Sequence, residues 1–540
     1  MEWFETWGLT ITVFLPVVGA LLLGFIKRDN EDALKRTALL VVVLAFIASI
    51  MVVIGFDFGA GGYNAYQFEV NENWIGAINA NYHVGVDGIS LPLLVLSTFI
   101  VVLSVVYSWN HWDEPKNPKA FLILMLILAT GMNGTFVALD LVLFFIFFEI
   151  VLLPMYFMIG IWGDKTPRKI PGFSRVLETR LYAAIKFFLF TLFGSAFMLL
   201  GFLALYFESG SSRFGRTFDI PELTELGASG AFTGEFAFFV FGAMFLGFAV
   251  KVPMWPLHTW LPDAHTAAPT VGSVLLAAIL LKLGSYGFIR ISLPILPDEA
   301  RNWAVFIAIL AVIGIIYGSL ACLAQTDMKR LIAFSSVGHM GFVMLGIATM
   351  TDVGINASII GMVAHGLITG LLFFLAGSMS HRYHTREMDR LGGNIKLMPV
   401  MGGIFAFTAM ASLGLPGLAG FWGEFMSLVS AYNPLDGLSL GVFRTAMVLG
   451  AVGTVLTAGY MLWMLQRVNL GEPGDEWSGQ EFHDADRFEL MSWVPLIILI
   501  VVIGFYPRVV LDSTTDSVSA LVEMAFGAET TASIGNVSGG

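Results

Sequence analysis

The chain of 540 residues contains little cysteine and little charge. Its single cysteine, Cys322, lies inside an apolar run, which excludes disulfides within the chain, iron–sulfur clusters and cysteine-based zinc sites. Charged residues make up 13% of the chain, roughly half of their share in an average soluble domain. The sequence therefore predicts almost no soluble domain.

Basic residues are scarcer than acidic ones. Lysine and arginine number 28 against 40 acidic residues, which gives a formal net charge of −12. Binding to nucleic acid depends on positive charge that neutralises phosphates, so this balance argues against a nucleic-acid partner. His381 and His384 have a spacing found in metal sites, but they lie in a basic loop, and we predict no metal there.

Long hydrophobic runs dominate the chain. Hydrophobic residues account for 57% of it, and the mean hydropathy is +0.80. At roughly 20 apolar residues per crossing, the sequence predicts an all-α polytopic membrane protein with about fourteen transmembrane helices. The first has no small-residue cleavage site and is predicted to be a retained helix. The predicted spans lie near 7–26, 34–56, 90–110, 119–138, 140–162, 180–207, 236–261, 266–292, 302–322, 329–350, 354–380, 398–432, 441–466 and 490–511.

The lysines and arginines predict an orientation, because cytoplasmic loops are enriched in them. With the N-terminus outside, most of these residues fall in inner loops, and the loop 164–180 alone carries five. The outer segment 57–87 then contains none. We expect a multi-pass protein of a prokaryotic plasma membrane with both termini outside.

The segment 251–282, KVPMWPLHTWLPDAHTAAPTVGSVLLAAILLK, begins and ends with a lysine in apolar surroundings. An ionisable side chain in a membrane span usually faces the bundle interior or a water path. Pro253 and Pro256 remove backbone donors directly after Lys251 and predict a broken helix. We interpret Lys251 and Lys282 as an ion-handling centre, because both lie too far from the polar turn that follows Pro256 to reach an interface.

A second break is predicted at Gly414–Gly420, five spans after the first, and Glu424 follows it. Paired interruptions in corresponding positions of two halves are typical of inverted repeats with a site near the midplane. We therefore expect two inverted five-helix repeats and two broken helices. The predicted divisions are N-terminal helices 1–3 in 1–118, a first repeat in 119–292, a second repeat in 302–468, and a final helix with an outer tail in 490–540.

Other ionisable side chains lie on apolar spans. Glu149 would take up a proton unless a cation lay close by, and Lys251 is its predicted partner, with Lys186 as another candidate. His339 and His365 lie along the sequence between Lys282 and Glu424. A histidine on an apolar span is more often structural, but here both are candidates for a proton relay.

His258 and His265 flank the turn WLPDAH. They could line an aqueous entrance, or they could bond the broken backbone of that turn. We retain His258, and also Lys186, among the candidate relay groups.

These motifs resemble the antiporter-like membrane subunits of respiratory complex I (NADH-quinone oxidoreductase), and most of all the NuoM type, the counterpart of mitochondrial chain 4. The similarity covers nearly the whole chain. Besides 251–282, it is carried by VDGISLPLLVL (86–96), FFEIVLLPMYFMIGIWG (147–163), AQTDMKRLIAFSSVGHMGFV (324–343), HRYHTREM (381–388), GLPGLAGFWGEFM (414–426) and GFYPRVVLD (504–512).

The resemblance implies roles for four residues. Glu149 matches the glutamate of the fifth helix and Lys251 the seventh-helix lysine paired with it. Lys282 matches the central lysine of the eighth helix, and Glu424 the terminal group of the twelfth. Related antiporter subunits are expected to carry lysine at that last place, so a glutamate favours the NuoM type.

The function implied is proton translocation through buried Glu, Lys and His residues, coupled to quinone reduction elsewhere in the complex. The chain would be a translocase subunit without a redox centre. Quinone, and FMN or iron–sulfur clusters where present, would belong to partner subunits. The expected partners are other membrane subunits, including neighbouring antiporter-like ones, and the lipid bilayer. The alternatives are a subunit of a Mrp-type Na⁺/H⁺ antiporter or of an energy-converting hydrogenase.

Overall fold

A computed structural model describes residues 2–60, 62, 65–169, 176–477 and 479–527. Helices dominate this part of the chain. In the first half they are α1 (Glu2–Phe25), α2 (Glu31–Gly55), α3 (Leu91–Tyr107), α4 (Pro118–Val137), α5 (Leu141–Ile150), α6 (Leu152–Trp162), α7 (Thr179–Glu208), α8 (Ile220–Ala228), α9 (Gly234–Lys251), α10 (Trp260–Ala267), α11 (Thr270–Leu275), α12 (Leu281–Gly287) and α13 (Leu293–Ile295).

The second half continues the helical pattern. Its helices are α14 (Pro297–Leu323), α15 (Met328–Thr349), α16 (Asp352–Tyr383), α17 (Asn394–Leu397), α18 (Pro399–Ser412), α19 (Ala419–Tyr432), α20 (Leu440–Val468), α21 (Arg487–Phe505) and α22 (Arg508–Phe526). Short π-helical turns, Leu276–Leu280 and Phe288–Ser292, join α11, α12 and α13 into one continuous span.

The number of membrane crossings agrees with the sequence. Twelve helices in the described residues are long and apolar enough to cross a membrane, and two shorter apolar helices, α3 and α18, add to them. Taken with its continuation α19, α18 completes the fourteen predicted crossings. The protein is a polytopic, predominantly helical membrane protein.

Both predicted helix breaks are present. The first separates α9 from α10, since α9 ends at Lys251 and α10 begins at Trp260. The indole of Trp260 donates to the Val250 carbonyl at 2.9 Å, which satisfies one of the carbonyls that the end of α9 leaves free. The second break separates α18, which ends at Ser412, from α19, which begins at Ala419.

Three spans form the centre of the bundle. The span Thr270–Ile295, α15 and α16 are almost wholly buried, whereas the spans around them expose apolar side chains. A helix that is apolar around most of its circumference is stable in this position because neighbouring helices or lipid surround it on every side. Lys282, His339 and His365 lie on these three central spans, one on each.

Two β-hairpins depart from the all-α prediction. Strands β1 (Gln67–Ile75) and β2 (Ala80–Val86) pair antiparallel, and so do β3 (Pro167–Lys169) and β4 (Val176–Glu178). Both lie in connections outside the spans, where the sequence analysis gave only loops. The β1–β2 turn contains Asn79 in a left-handed conformation, which asparagine tolerates better than most residues.

The end of the chain also differs from the expectation. An amphipathic helix, α22, follows the last span, where the sequence analysis predicted only a tail. Residues 528–540 of that tail and residues 170–175 of the predicted inner loop lie outside the described residues.

Candidate functional site

Lys282 occupies the middle of the fold. It lies on α12 between the two π-helical turns, and its side chain is fully buried. Its Nζ donates to the Ala277 carbonyl, five residues earlier, at 2.6 Å. π-Helical turns widen a helix locally and occur often at functional sites. Here the widened turn provides the central lysine with an acceptor inside its own span.

His365 on α16 contacts Lys282 directly. Its Nδ1 lies 2.6 Å from Lys282 Nζ. The contact depends on a close approach of α16 to the π-helical turn, because a Cβ added at Gly366 would lie 2.9 Å from the Ala278 carbonyl oxygen. His365 Nε2, the far side of the ring, is buried without a hydrogen-bond partner. The ring therefore contacts Lys282 through Nδ1, and its Nε2 can form a hydrogen bond with a further group.

His339 and Glu424 continue the series. The rings of His365 and His339 are 5.7 Å apart, and His339 Nδ1 forms a 2.8 Å hydrogen bond with Glu424 Oε1. Ser412, at the end of α18, lies 3.3 Å from His339 Nε2.

A small cavity separates the two histidine rings from the second break. About 30 Å³ of it is open to the centre of a water molecule, and its lining includes His339, His365, Ser412 and Glu424. This space accommodates about two water molecules next to polar groups that can bind them. Two of the predicted relay groups, His339 and His365, thus line one cavity together with Glu424, whereas Lys186 and His258 are not in its lining.

Glu149 and Lys251 are arranged differently. Lys251 is the last residue of α9, where a cation interacts favourably with the helix dipole. It interacts electrostatically with Glu149, as predicted. However, Lys251 Nζ and Glu149 Oε1 are each buried without a hydrogen-bond partner, and Lys251 Nζ lies 4.6 Å from the centre of the Phe148 ring. The pair is coupled through space and not by a direct bond.

The contacts of Lys186 differ from the prediction that made it a candidate partner of Glu149. Its Nζ pairs with Asp263 Oδ2 at 2.8 Å and donates to the Thr259 carbonyl, so it is not the partner of Glu149. Arg168 also binds Asp263, at 2.8 Å. Because Asp263 lies in the predicted polar turn, the sequence analysis did not include it among the buried ionisable groups. The structure places it in helix α10, 5% exposed.

The two histidines of the broken segment are both buried. His258 packs against the rings of Tyr317 and Phe334, and its Nδ1 has no hydrogen-bond partner. His265 stacks on Phe373, and neither of its ring nitrogens has a partner. Of the two alternatives left open for His265, a hydrogen bond from its ring to the broken backbone is therefore ruled out.

A buried ion pair was also missed. Arg290 Nη2 binds Asp87 Oδ1 at 2.5 Å, and the guanidinium is almost fully buried. Asp87 belongs to the quoted motif VDGISLPLLVL, and Arg290 lies within the predicted span 266–292. The pairing was not predicted because the two residues are 203 positions apart in the sequence.

The arrangement supports proton transfer. Lys282, His365, His339 and Glu424 are four titratable groups in sequence, with two direct contacts and one ring-to-ring approach across the cavity. A histidine can accept a proton at one nitrogen and release it from the other. Glu149 and Lys251 form a separate charge pair near the first break.

Comparison with known proteins identifies the family of the chain. The family described as NADH:quinone oxidoreductase/Mrp antiporter, transmembrane, matches residues 138–450, and that described as NADH-ubiquinone oxidoreductase chain 4, amino terminus, matches 11–135. The chain is 41% identical to NADH-quinone oxidoreductase subunit M of Rhodobacter capsulatus, over 95% of this chain and 96% of that protein.

Solved structures share the fold. A chain of respiratory complex I from Thermus thermophilus aligns with a TM-score of 0.81 and 26% identity, over 96% of this chain and 99% of that one. A chain of the Mrp complex from Dietzia sp. aligns with a TM-score of 0.78 but with 19% identity, over 97% of this chain and 52% of that one. Because the matched family model covers more than half of the chain and the Rhodobacter relative aligns along nearly all of it, the chain belongs to the NADH-quinone oxidoreductase subunit M (chain 4) family of antiporter-like membrane subunits.

Proposed function

We propose that this chain is the proton-translocating membrane subunit of an NADH-quinone oxidoreductase. The observation that carries the proposal is the series Lys282, His365, His339 and Glu424, which connects the centre of the fold to the second helix break. A structural role alone would not place four titratable groups in contact inside a membrane, because each such group is costly to bury.

In this proposal the charge pair of Glu149 and Lys251 controls when a proton is released toward Lys282. Two unit charges about 6 Å apart interact by roughly 3 kcal/mol at an effective dielectric constant near 20. While Glu149 is ionised, Lys251 keeps its proton. When a neighbouring subunit neutralises or displaces Glu149, Lys251 releases its proton toward Lys282, which passes it through His365 and His339 to Glu424.

Electron transfer belongs to partner subunits in this proposal. The single cysteine of the chain cannot hold an iron–sulfur cluster. Quinone, and FMN or iron–sulfur clusters where present, are held elsewhere in the complex. This chain acts as the translocating part of the enzyme, next to other antiporter-like subunits in the bilayer.

The Mrp-type alternative is less well supported. The fold is shared with the Mrp complex, but identity to the aligned chain is 19% and about half of that chain's length is matched. The subunit M relatives match over nearly their full length. Glutamate at position 424 further favours the subunit M assignment over antiporter subunits, for which lysine is expected there.

The proposed location is the plasma membrane of a prokaryote, with both termini outside. Cysteine labelling from one side of the membrane tests it. A Cys322→Ser background is used so that the introduced cysteine is the only thiol in the chain, although Cys322 itself is buried. A cysteine at Lys165 should react only from the cytoplasmic side, and one at Thr515 on α22 only from outside. The reverse pattern would contradict the orientation.

The function itself is tested on the purified complex. The subunits that copurify with the tagged chain should include quinone-reducing and NADH-oxidising components, and vesicles that contain the complex should acidify on one side when NADH is oxidised. Copurification with antiporter subunits alone, without NADH-linked proton movement, would favour the Mrp-type alternative.

A further inference from the structure

Three metal-ligating side chains meet at the end of the bundle where α3 finishes and α21 starts. His111 follows the end of α3, Asp486 caps the start of α21, and Glu489 lies in the first turn of α21. One ligand atom of each residue lies within 4.8 Å of the other two. Within the described ranges, this is the one group of three or more histidine, cysteine, aspartate or glutamate side chains so arranged. None of the three belongs to the proposed proton series.

The hydrogen on the His111 ring is assigned from its backbone contact. His111 Nδ1 lies 3.1 Å from the Tyr107 carbonyl oxygen, one helical turn earlier, and a carbonyl can only accept a hydrogen bond. Nδ1 therefore carries a hydrogen, and the neutral ring presents Nε2 as a lone pair. The ring also stacks on Tyr107, with centres 4.6 Å apart. Histidines that bind a metal are typically oriented in this way, through a hydrogen bond from the other ring nitrogen.

The distances around His111 Nε2 suit a shared ion. Nε2 lies 3.4 Å from Glu489 Oε1 and 3.9 Å from Asp486 Oδ2. Zinc binds nitrogen and oxygen ligands at about 2.0–2.2 Å in a tetrahedral arrangement, so two such ligands lie about 3.3–3.6 Å apart. The observed separations are close to this spacing, and small side-chain movements would bring all three atoms onto one ion.

Both carboxylates are held in place by other hydrogen bonds. Asp486 Oδ1 accepts from two backbone amides of the first turn of α21 at 2.8 Å, which leaves Oδ2 with a 3.5 Å contact to the Asn110 amide. Arg382 donates to the two oxygens of Glu489 at 2.8 and 2.7 Å. A carboxylate oxygen has two lone pairs, so Arg382 leaves one on Glu489 Oε1. Two carboxylates against one guanidinium also leave a negative charge, which attracts a cation.

The cluster is open to water. The side chains of His111 and Asp486 are 14% and 25% exposed, whereas that of Glu489 is fully buried. An ion from the aqueous phase can therefore reach Nε2 and Oδ2, and a water molecule can occupy a fourth ligand position.

We propose that His111, Asp486 and Glu489 form a binding site for a divalent transition-metal ion of the zinc class, with water as the fourth ligand. One imidazole nitrogen with two carboxylate oxygens suits zinc, whereas magnesium prefers oxygen ligands alone. The bound ion joins the end of α3 to the start of α21 and stabilises this junction. It takes no part in the proton series, so the inference goes beyond the proposed function.

The first test uses the unchanged chain in the intact purified complex. The complex is freed of loosely bound metal on a chelating resin and treated with diethylpyrocarbonate, which modifies accessible histidine rings. Mass spectrometry of peptides then gives the modified fraction of each histidine. We expect saturating ZnCl₂ to lower modification of His111 by about tenfold or more, because the metal-free fraction falls as 1 + [Zn²⁺]/Kd rises. The exposed His483 should react equally with and without zinc, and MgCl₂ at the same concentration should not protect His111.

Substitutions then test the ligands separately, with assembly checked on native gels. His111→Phe keeps a ring on Tyr107 and removes Nε2. Asp486→Asn keeps the helix cap, since asparagine caps as well as aspartate, but removes the charge. His483→Phe and Asp475→Asn are the matched controls at exposed positions. Both site variants should retain one zinc ion fewer per complex than the controls. Zinc should raise the melting temperature of the unchanged complex and the controls, and not that of the site variants.

The outcomes decide the proposal without reference to proton pumping. Equal modification of His111 with and without zinc would overturn the site, and so would equal zinc content in the unchanged complex and both assembled site variants. Equal protection by magnesium would overturn the assignment to a transition metal. If the site variants did not assemble, the labelling of the unchanged complex would still decide. Because pumping is not measured, the proposed function can fail while the site stands, and the reverse.

Discussion

The two helix breaks differ in what surrounds them. At the second break, Glu424 is hydrogen-bonded to His339, and a cavity with room for about two waters is lined by both of them and by His365. At the first break, residues 252–255 face a smaller crevice against α14 and α15 whose lining contains no titratable side chain. Lys251 there has no hydrogen-bond partner. The second break is thus connected to the central lysine by a series of neighbouring side chains. At the first break, the two members of the charge pair form no direct hydrogen bond.

This difference indicates a division of labour between the halves. A connected series lowers the barrier to moving a proton, because each donor is already close to its acceptor. A separated charge pair moves no proton by itself, but its state changes the energy of neighbouring charges by several kcal/mol at low effective dielectric constant. The second half is suited to conduction and the first half to control.

The largest expected effect on pumping comes from removing the side chain of Lys282, which lies between the two halves. Lys282→Ala should lower pumping by about a hundredfold or more while the complex still assembles, because no other group in that span can carry the proton. Proton movement per NADH oxidised measures it, with Lys116→Ala as the control at an exposed position. Normal pumping by the assembled variant would show that the two halves do not communicate through this lysine.

The next prediction concerns conduction at the second break. Glu424→Gln keeps the shape and hydrogen-bonding capacity of the side chain but removes its exchangeable proton, so pumping should fall by about tenfold or more. Glu424→Asp is shorter by one methylene but still titratable, and it should retain part of the activity. The ratio of pumping to NADH oxidation checks both variants. Equal performance of Gln and Asp would make Glu424 structural and remove the contrast between the breaks.

The sequence predicted the breaks better than it predicted the contacts around them. Pro253, Pro256 and the glycines of 414–420 act locally on the backbone, so their effect is visible in the sequence. The pairing of Lys282 with His365 is not, because it depends on how closely α16 approaches the π-helical turn. His339 and His365 were candidates because of their residue type and location, but the finding that His365 and not His339 contacts Lys282 required the structure.

The missed partners have a similar explanation. Lys186 could have faced either Glu149 or Asp263, since both are acidic and neighbouring spans carry them, and only the packing of α7 on α10 decides between them. The β1–β2 hairpin was missed because its strands alternate weakly between buried and exposed positions outside the membrane. Short polar strands of this kind give a weak periodic signal.

A smaller effect should follow from disturbing the approach of the two halves without removing a titratable group. A Cβ at Gly284 would lie 2.7 Å from the Phe248 carbonyl oxygen and 3.0 Å from Lys251 Cβ, so Gly284→Ala must push α9 away from α12. We expect pumping to fall by a factor of about three to ten, because small displacements of reacting groups slow transfer. Vesicle pumping assays measure the change.

Gly403→Ala is the matched control for this prediction, since a Cβ at Gly403 meets nothing within 4 Å. It should pump like the unchanged chain. Equal pumping by both variants would mean that the distance between Lys251 and the central span does not matter, and the first half would then lose its assigned role in control.

The smallest expected effect on pumping comes from a titratable cluster that lies outside both halves. His83 on β2 contacts Asp219 at 2.5 Å and Glu69 at 2.8 Å, and so ties the hairpin to α8. Burial acts to lower the pKa of His83, but the hydrogen bonds and charges of Asp219 and Glu69 outweigh it, and the pKa is raised above its ordinary value of 6.5. We therefore expect the protonated His83 to stabilise the attachment of the hairpin to α8 and to take no part in proton transfer across the membrane.

The pH dependence follows from that direction. Because the folded form binds the proton more tightly than the unfolded form, the stabilisation is fully present below pH 6.5 and is lost as the pH rises through the raised pKa. The melting temperature of the purified complex should therefore be lower for His83→Gln than for the unchanged chain at pH 6, and the difference should shrink at pH values above the raised pKa. His483→Gln, at an exposed position, should show no such difference.

Pumping at pH 6 should be unaffected in both variants, since the hairpin lies outside the spans that hold Lys282 and Glu424. A loss of pumping in His83→Gln with an unchanged melting temperature would contradict this assignment, and it would place a third titratable region beside the two breaks.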